Sequence, residues 1–334
     1  MLMADHAQIL VNSHWLPHGF DAASASVQFI KLDRERLSQP IFLADAVTES
    51  GREKASVPVA EITAADLPNA PLHFIFHTAF CRSTLLVRAL EQPGLSAGLS
   101  EPGVIASLVN AGPQATGAIA PVLRLLARPW GEGEAVFVKP TNHANAIAPA
   151  LMDGAPGAKA VLMTNPLPSF LAAVVRKGMM GRRWARQLYL EMMGYAGMDL
   201  GMDPREQFAM TDLQAGALAW FLGQRYLDGM VRRFGDRVRV LDGDLFGAEP
   251  ARTLEAVGAF TGVPIDAERA ATIASGPTFT SDAKTGQDYT EKAARDEAAT
   301  ESAVVTDEIA KLEEWIALIA QQAGLSVPLK TTLF

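Results

Sequence analysis

Eight consecutive residues concentrate the chemistry of this chain: His77-Thr78-Ala79-Phe80-Cys81-Arg82-Ser83-Thr84. They join an apolar run, LHFIF (Leu72–Phe76), to a stretch whose apolar residues have helical spacing, STLLVRAL (Ser83–Leu90). A strand–loop–helix junction ending in Ser-Thr turns several backbone N–H groups and two hydroxyls toward one point. That point is the positive end of a helix dipole, a setting for an anion. Arg82 adds a full charge on a forked donor, while Arg88 stands further along the helix. The same residues also read as a helix capped by Ser83 or Thr84. The loop is not a Walker A loop, which needs glycines and a lysine that are absent here. An ATPase or kinase is therefore disfavoured, although Asp242 or Asp244 of LDGD could pass for a Walker B aspartate.

Further groups qualify by type and position. EAVFVKP (Glu134–Pro140) carries Lys139 next to its last residue, and His143 follows Lys139 by four residues as a candidate base or an exposed helix-start histidine. Arg176, Lys177, Arg182, Arg183 and Arg186 place five cations within eleven residues with no acid among them. Such a field suits an anionic nucleotide or substrate, and equally a solvated helix face. Cys81 reads as a nucleophile with His77 or His143 as base, or as a small packing residue. His73 and His77 alone are too few to hold zinc.

Strand–helix alternation must position these groups. After Leu72–Phe76 and Glu134–Pro140, AKAVLM (Ala158–Met163) and RVRVLD (Arg237–Asp242) read as further buried strands. Helical periodicity follows at Ala144–Met152, Ser169–Lys177 and Pro250–Thr261, with a Met- and Trp-rich helical region over about 181–234 and an amphipathic helix at Ser302–Ala323. The pattern predicts βαβ units and a mostly parallel sheet in a three-layer α/β/α architecture. Ligands in such sheets bind beyond the carboxyl ends of the strands. Residues 1–70 read as an irregular N-terminal extension or small lobe with one strand, Ser26–Leu32. Residues 71–334 form the main domain, with a helical insertion at about 179–234.

Composition narrows the classes. With 334 residues and 49% hydrophobic content, the chain can bury a large core. A net charge of −8 argues against non-specific nucleic-acid binding. One cysteine rules out a disulfide framework and a cysteine-rich zinc site. No apolar run is long enough to span a membrane. MLMADHAQIL has an acid where an export signal carries basic residues, so a cytoplasmic location is expected.

LHFIFHTAFCRSTLLVRAL resembles the 5′-phosphosulfate loop of the sulfotransferase family, which uses 3′-phosphoadenosine 5′-phosphosulfate (PAPS). That loop has the form P-[KR]-S-G-T-T. Matching Ser83-Thr84-Leu85-Leu86 to T-T-L-L puts Cys81 at the family serine, Arg82 at its glycine and Phe80 at its catalytic cation. Ser100-Glu101-Pro102 resembles the Glu-Pro after the next short strand, and VFVKPTNHA (Val136–Ala144) the lysine-bearing strand. VRVLDGDLFGAEPARTLEAVGAFTGVP (Val238–Pro264) resembles the C-terminal signature. The resemblance implies a P-loop NTPase-like fold and sulfuryl transfer from PAPS to a hydroxyl or amine of a small-molecule acceptor, without a metal.

It also implies site residues. His77, Phe80, Cys81, Arg82, Ser83 and Thr84 would hold the phosphosulfate, with a hydroxyl from Ser169 for the nucleotide; Arg176, from the basic run, is a further nucleotide candidate by its charge. Arg82 or Lys139 would supply the cation that Phe80 lacks. Glu101 is the expected base, with His143 competing and Glu101 also readable as a helix-start acid. Lys284 and Gly286 would belong to a loop closing over the nucleotide. The family's 3′-phosphate contacts fall on Thr164 and Ala172, which cannot perform that task. The alternatives are a P-loop phosphotransferase and a nucleotide-binding protein without catalysis.

Overall fold

The computed structural model of the chain describes residues 5–39, 42–49, 51–280, 303–329 and 332–334. Two sheets organise it. The first is antiparallel, in the order β1 (Trp15–Asp21), β2 (Ser26–Lys31), β3 (Lys54–Pro58). The second has five strands: β4 (Leu72–His77), β5 (Ser96–Ser100), β6 (Ala135–Lys139), β7 (Lys159–Thr164) and β8 (Val238–Asp242). Their order is β5-β6-β4-β7-β8, with β4 and β5 both parallel to β6. This is the α/β class expected from the alternation of strands and helices.

The helices up to β7 are α1 (His6–Val11), α2 (Val59–Ala64), α3 (Ser83–Ala89), α4 (Gly103–Ala111), α5 (Ile119–Leu126) and α6 (Ala148–Gly154). Beyond it come α7 (Leu167–Arg176), α8 (Gly178–Ala196), α9 (Pro204–Ala209), α10 (Asp212–Phe234), α11 (Gly243–Ala248), α12 (Pro250–Thr261), α13 (Ala267–Ala274) and α14 (Pro277–Thr280). A C-terminal helix covers Ala303–Gln322. No helix among the described residues is long and apolar enough to cross a membrane.

Two compact units are built from these elements. One comprises Met1–Phe76, Ser83–Val161 and Pro250–Gln287; the other comprises His77–Arg82, Leu162–Glu249 and Asp288–Phe334. In the first, β4, β5 and β6 are buried along their whole length. That is why their sequences run apolar without alternating. The expected strand at Ser26–Leu32 is β2, and the patterning did not reveal its neighbours. Pro17 and Gly19 interrupt β1 at a register shift, and β3 is mostly exposed on one edge.

Arg128 pins the N-terminal segment of this unit. Its guanidinium is 1% exposed. It donates to the carbonyls of Ile9 (2.8 Å), Leu10 (3.0 Å), Asn12 (3.0 Å), Trp15 (2.5 Å) and Leu125 (2.8 Å). Burial pushes its pKa down to about 9, which leaves it cationic at neutral pH.

In the second unit, α8 and α10 pack with α7 and the C-terminal helix around Phe170, Leu171, Ala185, Leu218, Phe221 and Ile316. Thr211 and Gln214 form a capping box that starts α10. Gly216 lets α10 approach α8, since a Cβ there would stand 3.3 Å from the Ala185 methyl.

Candidate functional site

The loop Thr78–Arg82 leaves β4 with an unusual backbone. Phe80 and Arg82 adopt φ of +62° and +61°, while Cys81 between them does not. Left-handed backbone at a non-glycine residue is uncommon and costs about 1–2 kcal/mol. It persists only where the surroundings over-determine it. Left-handed residues interleaved in a loop are a recurring feature of the nests whose N–H groups bind anions. Arg82 therefore adopts the conformation that glycine would favour, at the position where the resembled loop carries glycine.

Neighbours hold this loop in place. Thr78 N–H donates to Met163 O at 2.9 Å. Thr78 O receives the Cys81 thiol and His77 Nδ1, each at 2.9 Å. Cys81 and His77 are both buried, so the cysteine and the histidine brace the turn. Gly243 opens α11 directly against the loop; a Cβ there would lie 2.3 Å from Cys81 O. Asp242 caps α11 through the N–H groups of Asp244 and Leu245.

Arg82 is directed at α11. Its NH1 donates to Gly243 O at 3.1 Å and to Asp244 Oδ1 at 2.5 Å. The second carboxylate oxygen of Asp244 accepts from the Ser169 hydroxyl. Two predicted ligand residues, Arg82 and Ser169, thus converge on one acid that the sequence offered only as a Walker B look-alike. Gly247 makes room for the guanidinium, since a Cβ there would meet Arg82 Nε at 2.9 Å.

Phe80 occupies the position of the resembled loop's cation and packs with aromatic rings. Its ring lies 5.9 Å from that of Phe170 and 5.0 Å, edge-on, from that of Trp184. Lys177 Nζ sits 5.9 Å from the Phe80 ring centroid, a cation–π contact. A positive charge therefore stands beside this position although the loop supplies none there. Lys177 was visible only as one member of the basic run. Another member, Arg186, is committed to starting α10, donating to Asp212 Oδ1 at 2.5 Å and to Met210 O. Arg176 ends α7 and is exposed.

At the end of β7, α10 meets the polar groups. Gln224, 1% exposed, donates to Thr164 Oγ1 at 2.5 Å, and Trp220 Nε1 donates to Asn165 O at 2.8 Å. Thr164 is thereby engaged with α10. Thr78 Oγ1 and Asn165 Oδ1 are buried without a hydrogen-bond partner among the described residues.

The first unit contains the other predicted residues. Ser83 and Thr84 open α3 and are both buried. Ser100 pairs in register with Lys139 across β5 and β6, so Glu101 and Lys139 emerge together at the strands' carboxyl ends. Lys139, 1% exposed, donates its ammonium to Glu101 Oε1 and lies 5.4 Å from the Phe42 ring centroid. Glu101 N–H donates to Lys139 O at 2.7 Å, and Ala44 N–H donates to Glu101 O at 3.0 Å. The Glu101 backbone is also left-handed, with φ of +53°. Backbone and side chain together fix this carboxylate beside a buried ammonium. His143 lies in the turn after β6, its Nε2 3.3 Å from Asn110 Oδ1.

Lys284 and Gly286 lie outside the described residues. Among the described residues, no group of three or more His, Cys, Asp or Glu could hold a metal ion.

No family model matches this sequence, and no curated protein matches it. Among solved structures, the chain is similar to the sulfotransferase domain from the curacin biosynthetic pathway. That match has a TM-score of 0.42 and 11% identity over 78% of this chain and 100% of the other. The sulfotransferase domain from the Synechococcus PCC 7002 olefin synthase matches at 0.38 and 15% identity, over 76% of this chain and 97% of the other. Sulfotransferase STF1 from Mycobacterium tuberculosis H37Rv matches at 0.39 and 12% identity, over 72% of this chain and 78% of the other.

Proposed function

We propose that the protein is a sulfotransferase that moves a sulfuryl group from PAPS to a hydroxyl or amine of a small-molecule acceptor. The loop backbone supports this reading: Phe80 and Arg82 take φ of +62° and +61°, and left-handed residues in a loop after a strand are the setting in which main-chain N–H groups cradle an anion. An anionic phosphosulfate anhydride fits such a donor set. The fit is supported by the Thr78 hydroxyl, buried without a hydrogen-bond partner among the described residues, and by the Lys177 ammonium over the Phe80 ring.

In this reading PAPS supplies the activated sulfuryl group, and the chain's residues do the positioning. Main-chain N–H groups of residues 80–84, with Ser83, Thr84 and Arg82, hold the phosphosulfate end. His77 and Cys81 brace the turn, and Ser169 and Arg176 serve the nucleotide. Lys284 and Gly286 remain proposed closing residues. Glu101 accepts the acceptor's proton, with Lys139 orienting its carboxylate; His143 is the competing base. Removing one donor to a developing anion costs about 3 kcal/mol of transition-state stabilisation.

Calorimetry with adenosine 3′,5′-bisphosphate against magnesium ATP tests the reading. Binding of the bisphosphate alone is expected. Binding of magnesium ATP alone would replace it with phosphotransfer. A second reading, nucleotide binding without chemistry, is favoured by Thr164, whose hydroxyl is held by Gln224. Bisphosphate binding with no sulfuryl transfer to any phenol, alcohol or amine offered would select it.

A further inference from the structure

The corner between α7 and α8 sets two solvent-facing methionines within the chain's basic run. Helix α7 ends at Arg176, and Gly178 turns the chain at φ of +57° into α8. The helices cross tightly there, since a Cβ on Gly181 would stand 2.2 Å from Val174 O. Met179 and Met180 project from the corner, 85% and 72% exposed. Lys177 and Arg183 beside them are exposed and Arg182 is half-buried. No Asp or Glu occurs in the sequence between Asp153 and Glu191, in a chain of net charge −8.

Exposed apolar side chains flanked by cations at a helix corner match the interface of an anionic bilayer. Headgroup phosphates meet Lys and Arg, while the unbranched, adaptable thioether side chains enter the acyl boundary. A helical protein partner would need an apolar stripe at i, i+3 or i+4, and i+7. Beyond the corner, the exposed positions of α8 are instead Arg183 and Gln187 before Leu190 is reached. We propose that this corner docks the protein on an anionic lipid surface. The proposal stands apart from the sulfuryl-transfer reading.

Flotation of the full chain with phosphatidylcholine vesicles, with and without about 30% phosphatidylglycerol, tests it at about 0.1 M salt. Binding is expected only to the anionic vesicles. The double variant R182Q/R183Q weakens it about 30-fold, from about fivefold per basic residue. The variant M179S/M180S also weakens binding while leaving the circular dichroism spectrum unchanged. Absence of wild-type binding, equal binding to neutral vesicles, or wild-type binding by both variants each overturns the proposal. So does retention on a polyglutamate resin without vesicle binding, which would assign the corner to an acidic protein.

Discussion

Replacing Glu101 by glutamine keeps the side chain's shape and removes the carboxylate facing Lys139. Lys139 is 1% exposed, so its ammonium would stay buried without its anionic partner. Breaking a buried pair from one side costs about 3–5 kcal/mol. At about 2.1 cal/mol/K of unfolding entropy per residue, 334 residues give roughly 0.7 kcal/mol per degree, so the Tm falls by roughly 4–7 °C. Lys139→Met alone costs less, about 1–3 kcal/mol, because the Glu101 side chain is 20% exposed and partly hydrated. In the double variant both charges are gone, and stability returns to within about 2 kcal/mol of wild type. Denaturant unfolding of the four proteins closes the cycle. Single effects that add to within about 0.5 kcal/mol would show that the pair does not hold these strand ends together. The same proteins separate structure from chemistry. If Glu101 is the base, sulfuryl transfer falls by about 10²–10⁴ in Glu101→Gln and does not recover in the double variant.

Asp244→Asn removes a negative charge beside the loop and loosens Arg82 and Ser169. Adenosine 3′,5′-bisphosphate should then bind roughly fivefold tighter at low salt by calorimetry, and weaker binding would mean that Asp244 organises the loop for its ligand. Gly243→Ala puts a methyl 2.3 Å from Cys81 O, against main chain that cannot rotate away. Bisphosphate binding should be lost, and a variant binding like wild type would contradict the close approach of α11. Arg128→Met leaves four N-terminal carbonyls without their donor and should cost about 3–5 kcal/mol. Lysine should not rescue it, because a point ammonium cannot replace the fork; thermal unfolding with limited proteolysis near residue 12 reads both. His73 has a pKa lowered to about 4 by burial and, secondarily, by Lys159, so the folded state keeps it neutral while the unfolded chain protonates near 6.5. Stability from this group is present above about pH 6.5 and drains by about 3 kcal/mol as pH falls toward 4. His73→Gln should flatten stability against pH across that window.

The large sheet was legible because its strands are continuous apolar runs. Leu72–Phe76, Glu134–Pro140, Ala158–Met163 and Arg237–Asp242 each lie within one or two residues of an observed strand. Helix α12 was read with its bounds, opened by Pro250. The short strand β5, SAGLS, has too few large apolar residues to show by pattern and entered only through the resemblance of Ser100-Glu101-Pro102. Strands β1 and β3 were missed for the reasons that make them marginal, a proline with a register shift in one and exposure in the other. Within the candidate site, loop residues 77–84 stood out by type. Lys177 merged into a run of similar charges, and Asp244 had no partner in sight.

Hydrophobic patterning is local along the chain, so the residues alone located four strands of the large sheet and the main helices, and showed that a loop rich in polar and charged side chains joins β4 to α3. The pairing of charges is not local. Arg82 meets an aspartate 162 positions away, and Glu101 meets a lysine 38 positions away. Those partnerships depend on which strand ends and helix starts the fold brings together. Only the tertiary structure could show that Arg82 is directed at Asp244, that Glu101 rests on a buried ammonium, and that Lys177 stands over Phe80.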